Sequence, residues 1–115
     1  MILPAQTIRA LCFPEDILAD SLLYPFVDRT QAPNGMTYGL SGAGYDIRFA
    51  NGFIGINGVQ ESEIVLRPGD FALCSAIERF NIPDDIVCRV ADKSSWARRG
   101  VAVQNTVIEP GWRGY

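Results

Sequence analysis

A chain of 115 residues, 48% of them hydrophobic and 20% charged, is long enough for one domain with a buried core and too short for two. Histidine is absent, which excludes Ser-His-Asp and Cys-His nucleophile systems, imidazole metal sites and imidazole acid–base catalysis together. The net charge of −3 is uneven: residues 1–92 carry 6 basic and 12 acidic side chains, residues 93–115 carry 4 and 1. A small basic end on an acidic protein favours a compact anion such as a nucleotide over nucleic acid, which requires a basic face.

In chain order, Pro4 is followed by Ile8, Leu11 and Cys12 at i, i+3, i+4 spacing, which predicts a short N-terminal helix over residues 4–12 that Pro14 ends. Residues 15–40 contain Pro25, Pro33 and Asn34-Gly35 without a sustained period; residues 16–23 are compatible with one or two helical turns, and the rest reads as loop. From Tyr45 the texture changes to strands. Residues 45–50 and 53–57 flank Asn51-Gly52, whose tolerance of positive φ predicts a two-residue hairpin turn. Further strands are expected at 63–66, 70–81, 86–92 and 101–108, separated by Pro68-Gly69, Pro83-Asp84 and Pro110-Gly111. Several are apolar on both faces, which suggests a closed barrel or sandwich that also packs against neighbouring subunits. Residues 94–100 break the pattern and predict one or two helical turns with a serine at the N-cap and Gly100 at C′. No apolar run approaches the roughly 18 to 20 residues that cross a bilayer, and no leader opens the chain, so the expectation is a soluble cytoplasmic protein with no membrane partner. Cys12, Cys74 and Cys88 have neither disulfide-framework nor metal-knuckle spacing and read as packing thiols.

Three stretches could carry chemistry. Around the short helix, Lys93, Ser94, Ser95, Arg98 and Arg99 gather an ammonium, two hydroxyls and two guanidinium groups. They suit a phosphate cradle, or equally a capped helix with solvated arginines; the G-x-x-x-x-G-K frame of a P-loop is missing. Glu109 is the one acid of the basic end. It could orient water or bind a sugar hydroxyl with Trp112 stacking alongside, or be a turn acid paired with Arg113. Gly42-Ala43-Gly44 precedes a strand rather than a helix, which rejects a dinucleotide loop, and Asp46 beside it could bind a metal-bridged phosphate or cap a turn.

In this order, Gly42-Ala-Gly-Tyr-Asp-Ile-Arg48, Pro68-Gly-Asp-Phe-Ala-Leu73, Ile82-Pro-Asp-Asp85, Lys93-Ser-Ser-Trp-Ala-Arg98 and Ile108-Glu-Pro-Gly-Trp-Arg-Gly114 resemble the dCTP deaminase and dUTPase superfamily, with dCTP deaminase the nearer. The resemblance implies a mainly β, distorted jelly-roll (β-clip, dUTPase-like) barrel with a short N-terminal helix, a single nucleotide-binding domain over 1–115. Its helix and loops would occupy 1–40 and its β-rich core 41–115. It implies a homotrimer with sites between subunits, acting in pyrimidine deoxynucleotide metabolism on dCTP bound with Mg2+, without zinc. In that picture Lys93, Ser94, Ser95 and Arg98 hold the phosphates, and Ser94 and Arg98 also position the attacking water. The main chain of Gln104, Asn105, Thr106 and Val107 reads the base, Glu109 takes the place of the family's usual Asp beside the deoxyribose, and Trp112 walls the sugar. Hydrolytic attack at cytosine C4 would give dUTP and ammonia. The 100–109 spacing is nearer a dUTPase, which keeps open a dUTP pyrophosphatase that uses Glu109 to activate water. Family deaminases take their general-base Glu from a strand beyond residue 115, so the chain is expected to lack its C-terminal strands. It would then be the N-terminal portion of a longer enzyme, or a shortened relative that binds nucleotide without turnover.

Overall fold

Pro4, which lacks an N–H, sits at the N-cap of the first helix, α1 (Ala5–Cys12), in extended conformation, and its carbonyl receives the N–H groups of Thr7 and Ile8. The computed structural model describes residues 1–15, 20–50, 52–55, 58 and 60–115. Ile8 and Cys12 turn inward as their spacing predicts, and the Ala5 N–H donates to the Gly42 carbonyl at 2.9 Å.

The segment read as loop contains three strands, β1 (Leu23–Tyr24), β2 (Thr30–Gln31) and β3 (Thr37–Ser41). Asn34-Gly35, taken as loop punctuation, is the bend of a β2–β3 hairpin that pairs Gln31 with Thr37. The Ala32 N–H donates to the Met36 carbonyl at 2.8 Å, and Gly35 takes the positive φ of 82°. The boundary placed at residue 40 therefore falls inside β3. Of the helical turns considered over 16–23, residues 16–19 lie outside the described residues, while Leu23 is in β1.

β3 continues into a second hairpin with β4 (Gly44–Asp46), in register Gly39 with Asp46 and Leu40 with Tyr45. Gly39 has a structural reason to be glycine. Its φ is +92°, and a Cβ there would lie 2.5 Å from the Asp28 carbonyl oxygen and 2.6 Å from that of Val27. Neither backbone atom can swing away as a side chain would. Gly39→Ala is expected to lower stability by about 2–3 kcal/mol, read as a downward shift of the urea midpoint at unchanged slope.

The remaining strands are β5 (Phe53–Gly55), β6 (Gln60–Glu61), β7 (Ala72–Leu73), β8 (Arg79–Asn81), β9 (Cys88–Arg89), β10 (Val107–Ile108) and β11 (Arg113–Gly114), with helix α2 (Ser94–Ala97) between β9 and β10. They are shorter than the runs expected from composition. Among the described residues four small antiparallel sheets result, in the orders β1-β8-β11, β9-β10, β2-β3-β4 and β6-β5-β7. The fold is mainly β with a short N-terminal helix, consistent with a dUTPase-like architecture; the ladders among the described residues do not close a barrel. Asn51 of the expected hairpin turn lies outside the described residues, and its flanks pair elsewhere. β4 pairs with β3, β5 pairs with β6 and β7, and Phe49 bridges to Ala76.

The core gathers Ile8, Cys12, Leu22, Leu23, Ala76, Phe80 and Ile82, with Phe80 of β8 opposite Leu23 on one side and Gly114 on the other. Among the described residues one charged side chain joins it. Glu78 is 0% exposed, and it accepts the Arg48 Nε–H at 2.8 Å and the Arg48 main-chain N–H at 3.0 Å. Large apolar side chains also remain outside: Ile54 and Leu73, cross-strand partners on β5 and β7, are exposed, as are Phe71, Val87 and Val107.

Candidate functional site

β9 and β10 form an antiparallel ribbon in which Cys88 faces Ile108 and Arg89 faces Val107. Two more bonds carry it past the strand ends. The Val90 N–H donates to the Thr106 carbonyl at 2.9 Å, and the Val103 N–H donates to the Asp92 carboxylate at 2.6 Å. The chain leaving at Asp92 and returning at Val103 makes α2 at the ribbon's tip.

α2 begins one residue earlier than its serines suggest. Lys93, extended at φ −86° and ψ 123°, is the N-cap, and its carbonyl receives the N–H groups of Trp96 and Ala97. Neither Ser94 nor Ser95 caps the helix, and among the described residues neither hydroxyl has a hydrogen-bond partner. The other end is as expected. Gly100 has φ +84°, its N–H donates to the Ala97 carbonyl at 3.0 Å, and the Val101 N–H reaches back to the Trp96 carbonyl at 3.1 Å. This pair of bonds closes a helix on a left-handed glycine at C′.

The charged groups around α2 divide into held and unheld. Lys93 is half-buried; its Nζ donates to the Thr37 hydroxyl at 3.1 Å and pairs with the Asp46 carboxylate. Asp46 thus neither caps a turn nor stands apart: it is the counter-charge of Lys93. The Arg99 guanidinium lies over the Trp96 ring, 5.6 Å from its centre. Arg98 is exposed, and among the described residues it has no ion-pair partner.

Beyond β10 the chain turns at residues 109–112. The Trp112 N–H donates to the Glu109 carbonyl at 3.1 Å, with Pro110 and then Gly111, at φ 79°, in the middle positions of the bend. The turn is fixed to the core, because Gly111 N–H donates to the Ile82 carbonyl at 3.0 Å and Ile82 N–H donates to the Trp112 carbonyl at 2.8 Å. Its side chains face outward: Glu109 is exposed and Trp112 is 49% exposed. The alternative pairing of Glu109 with Arg113 does not form, since Arg113 lies 4.0 Å from Asp20 instead.

One chain therefore assembles two clusters. Lys93, Ser94, Ser95 and Arg98 share the α2 tip, while Glu109 and Trp112 share the turn at the opposite end of the ribbon. Gln104, Asn105, Thr106 and Val107, all exposed, run between them. Among the described residues no hydrogen bond or ion pair joins the two clusters, and an extended chain from Val103 to Glu109 covers on the order of 20 Å. Sequence reasoning gave no role to Thr37, Glu78 or the Arg48 side chain, since their partners stand 56 and 30 residues away.

The thiols stand apart from this chemistry. Burial pushes Cys12, Cys74 and Cys88 up from their ordinary values, so they remain protonated, weak nucleophiles. Among the described residues no helix is long and apolar enough to cross a membrane.

A family model described as dCTP deaminase-like matches residues 2–115. Curated relatives named dCTP deaminase include those of Anaplasma phagocytophilum, 35% identical over 88% of this chain and 64% of the relative, and Anaplasma marginale, 36% identical with the same coverage. That of Herpetosiphon aurantiacus is 35% identical over 82% of this chain and 61% of the relative. The chain thus spans a little under two thirds of the length of these relatives. On the match along nearly its whole length, the chain belongs to the dCTP deaminase-like family.

Proposed function

We propose that the α2 tip is the phosphate end of a dCTP site, and that the reaction it serves is hydrolytic deamination. A water oxygen bonds to cytosine C4, the C4–N bond breaks, and ammonia and dUTP leave. Lys93, Ser94, Ser95 and Arg98 hold the phosphates, and Ser94 and Arg98 also orient the water. The main chain of Gln104, Asn105, Thr106 and Val107 reads the base, while Glu109 meets the deoxyribose and Trp112 walls it. The observation that carries this reading is the pair of serine hydroxyls spared from capping beside an exposed Arg98 that has no ion-pair partner among the described residues, in a chain of this family. Two hydroxyls and an exposed guanidinium, without ion-pair partners among the described residues, suit phosphate oxygens better than they suit stability.

Because the two clusters sit at opposite ends of one ribbon, the reading places each site between two copies, in a homotrimer. The exposed Ile54, Phe71, Leu73, Val87 and Val107 support assembly. Among the described residues no three His, Cys, Asp or Glu side chains gather into a metal cage. In this reading Mg2+ arrives on the triphosphate, with phosphate and water supplying its oxygens. When bound, the ion offsets triphosphate charge.

The test is product analysis with the full-length protein, MgCl2 and dCTP or dUTP. The expected result is ammonia and dUTP in equal amounts from dCTP. Production of dUMP and pyrophosphate from dUTP would transfer the site to a pyrophosphatase. Saturable dCTP binding without product would keep the site and overturn the reaction, and absence of binding would overturn both.

A further inference from the structure

We infer that Asp46 is a positioning residue for the phosphate-facing helix, acting through Lys93. The inference rests on the dCTP reading for its ligand and on the fold alone for its mechanics. α2 has a single turn of helix and buries none of its residues. Little holds it by packing, so its placement falls to polar tethers. Among the described residues two side chains tie the 92–100 segment to the rest of the protein. Asp92 closes the loop at its base by accepting the Val103 N–H. Lys93, whose carbonyl receives the first hydrogen bonds of α2, carries its ammonium across to the β3–β4 hairpin, where Thr37 and Asp46 receive it.

The hairpin end of this tether is itself fixed. Two residues beyond Asp46, the main-chain N–H and side-chain Nε–H of Arg48 both donate to the fully buried Glu78. The Arg48 guanidinium also lies over the Tyr38 ring of β3, 4.8 Å from its centre. On the other side Gly39, the register partner of Asp46, lies tight against the carbonyls of Val27 and Asp28. The Asp46 carboxylate therefore projects from a rigid support toward a helix that has little support of its own. An ammonium has three donors; Asp46 and Thr37 use two, which leaves one for a phosphate oxygen. The pairing fixes where Ser94, Ser95 and Arg98 stand without consuming Lys93.

The experiment is a double-mutant cycle with Asp46→Asn, Lys93→Ala and both together, read in two ways on the intact chain. Without nucleotide, amide hydrogen exchange at Trp96, Ala97 and Arg98 is expected to speed by about fivefold in each variant, with no further gain in the double variant, while exchange at Phe80 and Ile82 stays as in the parent. With dCTP, Asp46→Asn is expected to weaken binding about five- to tenfold in the parent and to have no effect in the Lys93→Ala background; Asp46→Glu restores part of the loss. Unchanged exchange at α2 in Asp46→Asn overturns the inference, as do additive effects of the two substitutions. Tighter dCTP binding by Asp46→Asn overturns it too, and would make the carboxylate a competitor of the phosphate. If the parent binds no dCTP, the nucleotide reading fails while the exchange data still decide the tether.

Discussion

Glu78→Ala is expected to cost about 3–5 kcal/mol, a large part of the roughly 5–15 kcal/mol that holds a domain together. The carboxylate has no contact with solvent and takes two hydrogen bonds from Arg48, one from Nε at 2.8 Å and one from the main chain at 3.0 Å. Arg48 Nη2 is already a buried donor without a partner among the described residues. Removing the carboxylate would orphan Nε–H and the main-chain N–H as well, and leave a guanidinium facing a cavity. Breaking a buried pair from one side costs far more than the pair's net contribution, because the survivor keeps its desolvation penalty. Glu78→Gln, with the same shape and one carbonyl acceptor, should lose less. Burial alone would lower the Arg48 pKa, but the Glu78 hydrogen bond and charge outweigh it and the net direction is up. A cation whose folded pKa is raised contributes fully below its unfolded value and loses that contribution only as pH climbs through the folded one. For an arginine this lies above the working range, so the pair's contribution should not change between neutral and moderately alkaline pH. Urea denaturation measures the loss; less than about 1 kcal/mol for Glu78→Ala would contradict the account.

Arg98→Ala is the functional counterpart, with a large expected effect on binding and almost none on stability. Arg98 is exposed, and among the described residues it has no ion-pair partner. Its removal should leave the unfolding free energy within about 0.5 kcal/mol of the parent. A charge-assisted hydrogen bond to phosphate contributes about 1.5–3 kcal/mol, so dCTP affinity should fall roughly 10- to 100-fold. Arg98→Lys keeps the charge and loses the planar fork, and should recover only part of the affinity. Titration calorimetry beside thermal unfolding separates the two quantities. Unchanged dCTP affinity would show that the guanidinium does not meet phosphate.

The contrast between these residues explains what the sequence could and could not convey. Helix α1 and the left-handed stop at Gly100 were legible because their causes lie within a few residues: apolar spacing, a proline, a glycine past the last turn. The α2 tip was legible for the same reason, although Lys93 took the N-cap expected of a serine. The two Asn-Gly pairs separated poorly. Asn34-Gly35 turns the β2–β3 hairpin inside a segment that looked unstructured, because its flanks lack alternation. The flanks of Asn51-Gly52 are rich in β-forming residues, yet pair with other strands. An Asn-Gly pair signals where the backbone can reverse and carries no information about which strand lies opposite. Glu78 was invisible because a carboxylate is ordinarily solvated; only Arg48, 30 residues away, makes its burial tolerable. Asp46 showed itself as a candidate, but its partner stood 47 residues along, so neither role weighed for it matched its pairing with Lys93.

Complementation between copies tests the central claim most directly. Arg98→Ala damages the α2 cluster and Trp112→Ala the turn cluster, and neither residue is buried in one chain. If each dCTP site joins the α2 tip of one copy to the Glu109–Trp112 turn of another, unfolding the two variants together and refolding them should rebuild intact sites in about a quarter of the positions, by random assortment of subunits. Tight dCTP binding should then reappear in the mixture and in neither variant alone. A mixture that binds no better than its two components would contradict a site shared between copies.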